Sequence, residues 1–239
     1  MYFLLSGEGP RDMGVGTGAA VICEGEDYLY GPMAVITDHI VEQHDHYSLL
    51  DAQCCGFVSE HHLAARAGEL KAAKKSLRLP GVKQPKETRY FFNNARVLAR
   101  IAGEKQVLRN DDVVAVLFRD SDDTASAGRG LWDDKNNSII HGFGEEGFAK
   151  GVPMVPKPKS EAWLICGITG NPNHEGTALE DWSGNDKSPN SLKGALERLI
   201  GQEPSRELLC ELLRDGTVDC QKIDLPKFRA FRDRLRSVL

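Results

Sequence analysis

Val113-Val114-Ala115-Val116-Leu117-Phe118-Arg119-Asp120-Ser121-Asp122 sets six apolar residues directly against a pair of aspartates. Six residues is the length of a strand rather than a helix. Because the run does not alternate with polar residues, it must be covered on both faces, as in a parallel sheet. Working outward, Met1–Ser6, Gln53–Val58 and Gly151–Val155 read as further strands. Helical periodicities separate them. Pro32 opens a helix with Met33, Ile36, Ile40 and Val41 on one side. A second helix is predicted over Glu60–Leu77, and Leu79-Pro80-Gly81 breaks the chain after it. A third over Lys86–Gly103 puts Phe91, Asn94, Ala95, Leu98, Ile101 and Ala102 on one face, with Arg89, Arg96 and Arg100 on others. Ile139–Ala149 is a weaker helical stretch, interrupted by Gly142 and Gly144. Ser160–Cys166 opens another helix with Ser160 as its cap, and three leucine- or phenylalanine-rich helices follow Leu192. Gly7–Gly18, with five glycines and a proline, reads as a loop, as does polar Asp181–Asn190. Strands alternating with helices predict one α/β domain over 1–239. Its central sheet is mainly parallel and flanked by helices, with a basic helical insertion at about 60–109 and a helical C-terminus.

Composition narrows the class. The chain has 239 residues, 41% hydrophobic and 27% charged, which fits a folded globular protein and excludes wholesale disorder. Val113–Phe118 is the longest purely apolar run, far below the ~20 residues of a membrane helix. Met1–Leu5 lacks a basic flank and runs into Ser6-Gly7-Glu8-Gly9, unlike a signal peptide. Cys23, Cys54, Cys55, Cys166, Cys210 and Cys220 form no CxxC pair, so reduced thiols and a cytoplasmic location are expected. Charge is uneven. Arg66 to Arg109 holds twelve Lys/Arg against three acids, a net +9 that leaves −14 for the rest of a chain totalling −5. Such a segment, with Lys74, Lys75, Arg89, Arg96 and Arg100 in it, suits a phosphate-facing surface beside an acidic centre.

The acidic centre is read from three strand ends. Glu8 and Asp12 follow the first strand, Asp120 and Asp122 follow Val113–Phe118, and Glu161 follows Gly151–Val155. Ligands of open parallel sheets bind beyond these carboxyl ends. Alternate residues of an extended chain point the same way, so Asp120 and Asp122 are expected to aim at one point. Hard oxygen ligands suit Mg²⁺ or Mn²⁺. Carboxylates converging without cations would raise one another's pKa values. Two ions about 4 Å apart would stabilise the attacking and leaving oxygens of phosphodiester cleavage, and Lys157 or Lys159 would contact the phosphate.

These strings also resemble a known family. A strand followed by Glu8-Gly9-x-x-Asp12, a second strand followed by Asp120-x-Asp122, and a later acid resemble the Toprim fold of topoisomerases, primases and overcoming-lysogenization-defect nucleases. Phe118-Arg119-Asp120-Ser121-Asp122, Pro156-Lys157-Pro158-Lys159-Ser160-Glu161-Ala162-Trp163-Leu164 and the Ser183–Ser191 loop are closer to Toprim-like proteins of bacterial defence loci, the stretch from Lys159 to Leu164 being the most specific part. The resemblance covers residues 1–15 and 110–192. It implies a Toprim/Rossmann-like fold and a Mg²⁺-dependent nuclease acting on DNA or RNA in antiphage defence, with a separate ATPase partner. Glu8, Asp12, Asp120, Asp122 and Glu161 would then be the metal-site acids, with Asp12 a ligand or a water-orienting base.

Other signals carry less. Gly14-Val15-Gly16-Thr17-Gly18 lacks the Gly-Lys-Ser/Thr of a phosphate loop. The histidines at 39, 44, 46, 61 and 62 with Cys54 and Cys55 match no usual zinc spacing. Trp182, in a polar loop, is the better base-stacking candidate among the tryptophans. The rival from another class is a non-catalytic subunit that binds an ATPase through its helices.

Overall fold

The computed structural model describes residues 1–73, 86–122, 132–188 and 191–239. In chain order its elements begin with β1 (Tyr2–Gly7), a helical turn (Gly9–Met13), β2 (Gly14–Gly16), β3 (Cys23–Glu24), β4 (Tyr28–Tyr30) and α1 (Pro32–Asp45). Then come β5 (Cys55–Ser59), α2 (Glu60–Ala73), α3 (Lys86–Arg109), β6 (Val113–Phe118), α4 (Trp132–Glu145), β7 (Gly151–Met154) and α5 (Ser160–Thr169). The hairpin strands β8 (Asn173–His174) and β9 (Thr177–Ala178) precede α6 (Leu192–Ile200), α7 (Arg206–Arg214) and α8 (Pro226–Arg236).

The central sheet has five strands in the order β3-β5-β1-β6-β7. β5, β1, β6 and β7 are mutually parallel, and only the short edge strand β3 is antiparallel. Strand pleating divides the core in two. Phe3, Leu5, Val114, Val116 and Phe118 face one side, where α1 and the helices from α5 onward pack. Tyr2, Leu4, Val113, Ala115 and Leu117 face the other, against α2, α3 and α4. Both faces of β1 and β6 are buried, so their sequences carry no polar alternation. The connection leaving β1 crosses the first face and the one leaving β6 crosses the second. The β1–β6 boundary is therefore the point where the winding reverses, and at such a point open α/β sheets place their ligand crevice, outside the carboxyl ends of the strands.

Several sequence expectations change here. The described helices of the 60–109 segment, α2 and α3, form a layer of the fold: Leu63, Ala67, Phe91, Ala95, Leu98, Ile101 and Ala102 are all buried. α3 runs on to Arg109, six residues past the expected Gly103. The break at Leu79-Pro80-Gly81 and the end of the second helix lie outside the described residues. α4 spans Trp132–Glu145 instead of Ile139–Ala149. Gly142 does not interrupt it: a Cβ there would stand 2.5 Å from the Phe92 carbonyl oxygen and 2.7 Å from the Ala95 Cβ, so glycine lets α4 approach α3 closely. The glycine-rich stretch after β1 is not simply loop, since it contains a helical turn and β2, which pairs with β4. All six cysteines are free thiols. No helix among the described residues is long and apolar enough to cross a membrane.

Candidate functional site

Glu8 is the first residue beyond β1, and β1 pairs with β6 through Gly7↔Phe118. That register sets Glu8 beside Asp120, whose backbone N–H donates to Glu8 Oε1 at 3.0 Å. Asp12 lies in the helical turn. Gly31 packs so tightly on that turn that an added Cβ would stand 2.2 Å from the Asp12 carbonyl oxygen, and the Tyr28 hydroxyl donates to the Met13 carbonyl at 2.6 Å. Residues 119–122 are laced to the segment after β7: the backbone N–H groups of Arg119, Ser121 and Asp122 donate to the carbonyls of Met154, Pro156 and Pro158.

Ser160 joins the clusters. Its backbone N–H donates to Asp120 Oδ1 at 2.9 Å and its hydroxyl donates to Asp12 Oδ1 at 2.6 Å. The expectation that Ser160 caps α5 is therefore corrected. Lys159 occupies the cap position without a side-chain cap bond, and the Ser160 hydroxyl is spent across the site. Glu161, in the first turn of α5, has its Oε2 buried with no hydrogen-bond partner. Asp122 departs from the alternation argument. Its φ of 45° lies in the left-handed region, so it leaves the strand direction, and its Oδ1 stands 3.8 Å from Lys159 Nζ.

Electrostatics ties these acids together. Burial, followed by the charges of Asp12, Glu161, Glu8 and Asp122, raises Asp120 well above the usual carboxylate range. Burial also raises Asp12, against the Ser160 hydrogen bond and the charges of Lys159 and Arg11. Glu161 is raised by burial and by the Asp12 charge, although its own backbone N–H and Lys159 pull it down. Burial pushes Glu8 up to about 7 against the pull of Arg119, with the Asp122 and Glu60 charges adding to the rise. Lys159 is the cation that answers them. Burial alone would depress it, yet its hydrogen bond to Asp186 and the charges of Asp186, Asp122 and Glu161 hold it above its ordinary value.

These shifts predict an inverted pH dependence. The folded pKa of Glu8 exceeds its ordinary 4.5, so folding suppresses its ionisation. Stability is then highest below pH 4.5, falls as pH rises toward 7, and levels off above. At about 1.4 kcal/mol per unit this amounts to roughly 3 kcal/mol for Glu8, and Asp12, Asp120 and Glu161 act in the same direction. Chemical denaturation of metal-free protein at pH 5 and pH 7.5 checks the sign; greater stability at pH 7.5 would refute it.

Four contributors were not legible as site residues. Arg119, inside the Asp120 motif, bonds Glu8 at 3.2 Å and Glu60 at 2.7 Å, and its guanidinium lies 4.3 Å from the Tyr90 ring centre. The Tyr90 hydroxyl donates to the same Glu60. Lys135 of α4 is fully buried and donates to the Ser121 carbonyl beneath the Asp120–Asp122 loop. Asp186 receives Lys159 at 2.8 Å. Arg119, between a strand and two aspartates, and Asp186, within the Ser183–Ser191 loop, are the two that carry a sequence signal. The others join through tertiary contacts.

The remaining expectations fare differently. Arg96 and Arg100 both bond Glu146, at 2.6 and 2.7 Å, which ties α3 to the end of α4. Arg89 is exposed, and Lys74 and Lys75 lie outside the described residues. Trp182 is buried and packs on His174, so its ring is no open stacking platform. A further acidic run, Glu24-Gly25-Glu26-Asp27, lies elsewhere: Glu24 accepts from the Tyr2 hydroxyl and Lys105 at the amino end of the sheet, away from these acids.

Among the described residues no group of three or more His, Cys, Asp or Glu side chains is set to hold a metal ion. Glu8 is turned onto Arg119, Asp12 onto Ser160, and Asp122 toward Lys159. The donor set nevertheless fits a divalent cation: the oxygens are hard, the carboxylates crowd one another, and Glu161 Oε2 lacks any partner. A comparison of this chain with protein families, curated proteins and solved structures finds no match.

Proposed function

We propose that this protein is a Mg²⁺- or Mn²⁺-dependent nuclease of the Toprim-like kind, hydrolysing phosphodiester bonds of DNA or RNA at the crevice beyond β1, β6 and β7. The observation that carries this reading is the acidic convergence itself. Acids from three separate chain segments meet at the winding reversal, with Asp12 and Asp120 both bonded to Ser160 and one Glu161 oxygen left unsatisfied. Folding free energy alone gives no reason to gather them, since each is raised by burial.

Asp12, Asp120, Asp122 and Glu161, with Glu8, would hold the ions, whose positive charge would offset the mutual repulsion that, after burial, raises Glu8, Asp120 and Glu161 in the metal-free site. Bound divalent ions supply charge neutralisation for the attacking and leaving oxygens, in the two-ion arrangement the sequence suggests. Ser160 fixes Asp12 and Asp120 relative to each other. Arg119, 3.2 Å from Glu8 Oε2, orients that carboxylate. Lys159, beside Asp122, and Lys157 would neutralise substrate phosphate. An antiphage role beside a separate ATPase subunit belongs to the same proposal and rests on the residue strings at 118–122 and 156–164.

Calorimetric titration of Mn²⁺ and Mg²⁺ into wild type and an Asp120→Ala/Asp122→Ala variant tests the centre without any partner. Saturable binding to wild type, lost in the variant, is expected, followed by Mn²⁺-dependent cleavage of single- or double-stranded substrates. Absence of binding to wild type at millimolar metal would overturn the reading.

A further inference from the structure

Lys157 and Lys159 flank Pro158 at the rim of the acidic crevice, and the chain itself supplies an anion to each. Lys157 Nζ stands 3.4 Å from Asp181 Oδ1, and Lys159 Nζ stands 2.8 Å from Asp186 Oδ1. Both aspartates belong to the segment that leaves the β8–β9 hairpin and folds back over the site. Gly184 lies so close beneath it that an added Cβ would stand 3.3 Å from the Pro158 Cβ and 3.5 Å from the Asp122 Cα. The segment is organised from within: the Asn185 N–H donates to Ser183 Oγ, the Lys187 N–H to Asn185 Oδ1, and the Ser188 N–H to the Asn185 carbonyl. Asp186 is thus presented to Lys159 by a formed turn.

The pairs are lopsided in burial. The lysine side chains are 27% and 15% exposed, whereas Asp181 and Asp186 are 68% and 54% exposed. The cations are built into the wall, and the carboxylates reach them from solvent. Two lysines with largely covered side chains favour anions at their ammonium groups, but nothing requires those anions to be these aspartates. Asp186 also stands among acids that repel it, for its charge helps to raise Glu161. It is the replaceable member of its pair. Two cations held by two separate carboxylates mark two anion positions, a pattern that suits linked phosphates better than a single phosphomonoester.

We propose that Asp181 and Asp186 are internal stand-ins for two phosphates of a bound phosphodiester chain, and that substrate enters by displacing them from Lys157 and Lys159. This rests on the phosphodiester reading of the same site and adds its regulation: the loop holds the phosphate positions closed to lone anions and yields to a ligand that fills both.

Binding is measured in EDTA with two probes, inorganic tripolyphosphate and a ten-nucleotide oligothymidylate, on wild type, Asp181→Asn/Asp186→Asn and Lys157→Gln/Lys159→Gln. Both aspartates are exposed, so their variant is expected to fold as wild type does, checked by its melting curve. Removing them should tighten tripolyphosphate binding about tenfold or more, whereas removing the lysines should abolish it. For the oligonucleotide, the slope of log affinity against log salt should fall by roughly 1.4 in the lysine variant, two phosphate contacts at about 0.7 each. Unchanged or weaker tripolyphosphate binding in the aspartate variant would overturn the stand-in proposal. Tighter tripolyphosphate binding with no oligonucleotide binding by any variant, the same when Ca²⁺ replaces EDTA, would keep the aspartates as stand-ins for linked phosphates and overturn the nuclease reading.

Discussion

Asparagine at position 120 is expected to raise the melting temperature of the metal-free protein at pH 8 and to abolish its response to Mn²⁺. Asp120 is held well above the usual carboxylate range by burial and by four neighbouring acids. Its ordinary value is 3.8, so the unfolded chain ionises freely at pH 8 while the folded site resists ionisation. That difference weakens folding, increasingly so as pH climbs above 3.8, and asparagine removes it. The amide keeps an oxygen for the Ser160 N–H and offers an N–H₂ to the surrounding carboxylates, so packing is conserved. Metal reverses the order. At a hundredfold excess over its dissociation constant, an ion bound as proposed would stabilise wild type by about 2.7 kcal/mol. The variant, without that charge, is expected to lose more than the roughly 100-fold in affinity typical of an outer-shell change. Melting curves at pH 4.5 and pH 8, with and without Mn²⁺, should show the variant ahead only at pH 8 without metal. A variant less stable than wild type in that condition, or a wild type indifferent to Mn²⁺, refutes the account.

Trp163→Ala should be the costliest single change, at about 3–5 kcal/mol. Trp163 is fully buried in α5, edge-on to Phe228 at 5.1 Å and stacked on Phe231 at 5.8 Å. These rings of α8 pack on the Trp163 face of α5, and α5 carries Ser160 and Glu161 into the site. The loss is therefore expected to appear twice, as a lower urea midpoint and as weaker Mn²⁺ binding. Trp163→Phe separates packing from polarity. The indole Nε1 is buried without a hydrogen-bond partner, so phenylalanine gives up volume but also removes an unsatisfied donor. It should lose much less stability than alanine and retain metal binding. Equal losses in the two variants would mean that the aromatic contact with α8 is not what positions the helix.

The site was legible in sequence where local pattern and chemistry coincide. Glu8, Asp120 and Glu161 each follow a buried strand closely, and strand ends in a parallel sheet are close together in space whatever their separation along the chain. Asp12 and Asp122 stand on the same grounds, but their aim is not legible in sequence. Asp12 depends on a helical turn wedged between Gly31 and Tyr28, and Asp122 on a left-handed backbone that carries it off the strand direction toward Lys159. Arg96 and Arg100 show the same limit for charge. Counted along the chain they belong to a basic stretch, yet in space they share Glu146, an acid at the end of another helix.

What the sequence determined by itself was the α/β class, the buried strands β1 and β6, the amphipathic face of α3 and the identity of the acids. All of these follow from short-range periodicity and composition, which repeat every two or 3.6 residues whatever the rest of the chain does. Only the tertiary structure decided the strand order, the layer formed by the basic segment, and the partners of each charged group. It made Ser160 a bridge instead of a cap, placed Lys135 under the aspartate loop, and set Asp181 and Asp186 on the two lysines. A charge interacts with whatever lies within a few ångströms, and that neighbourhood is assembled from segments far apart in sequence.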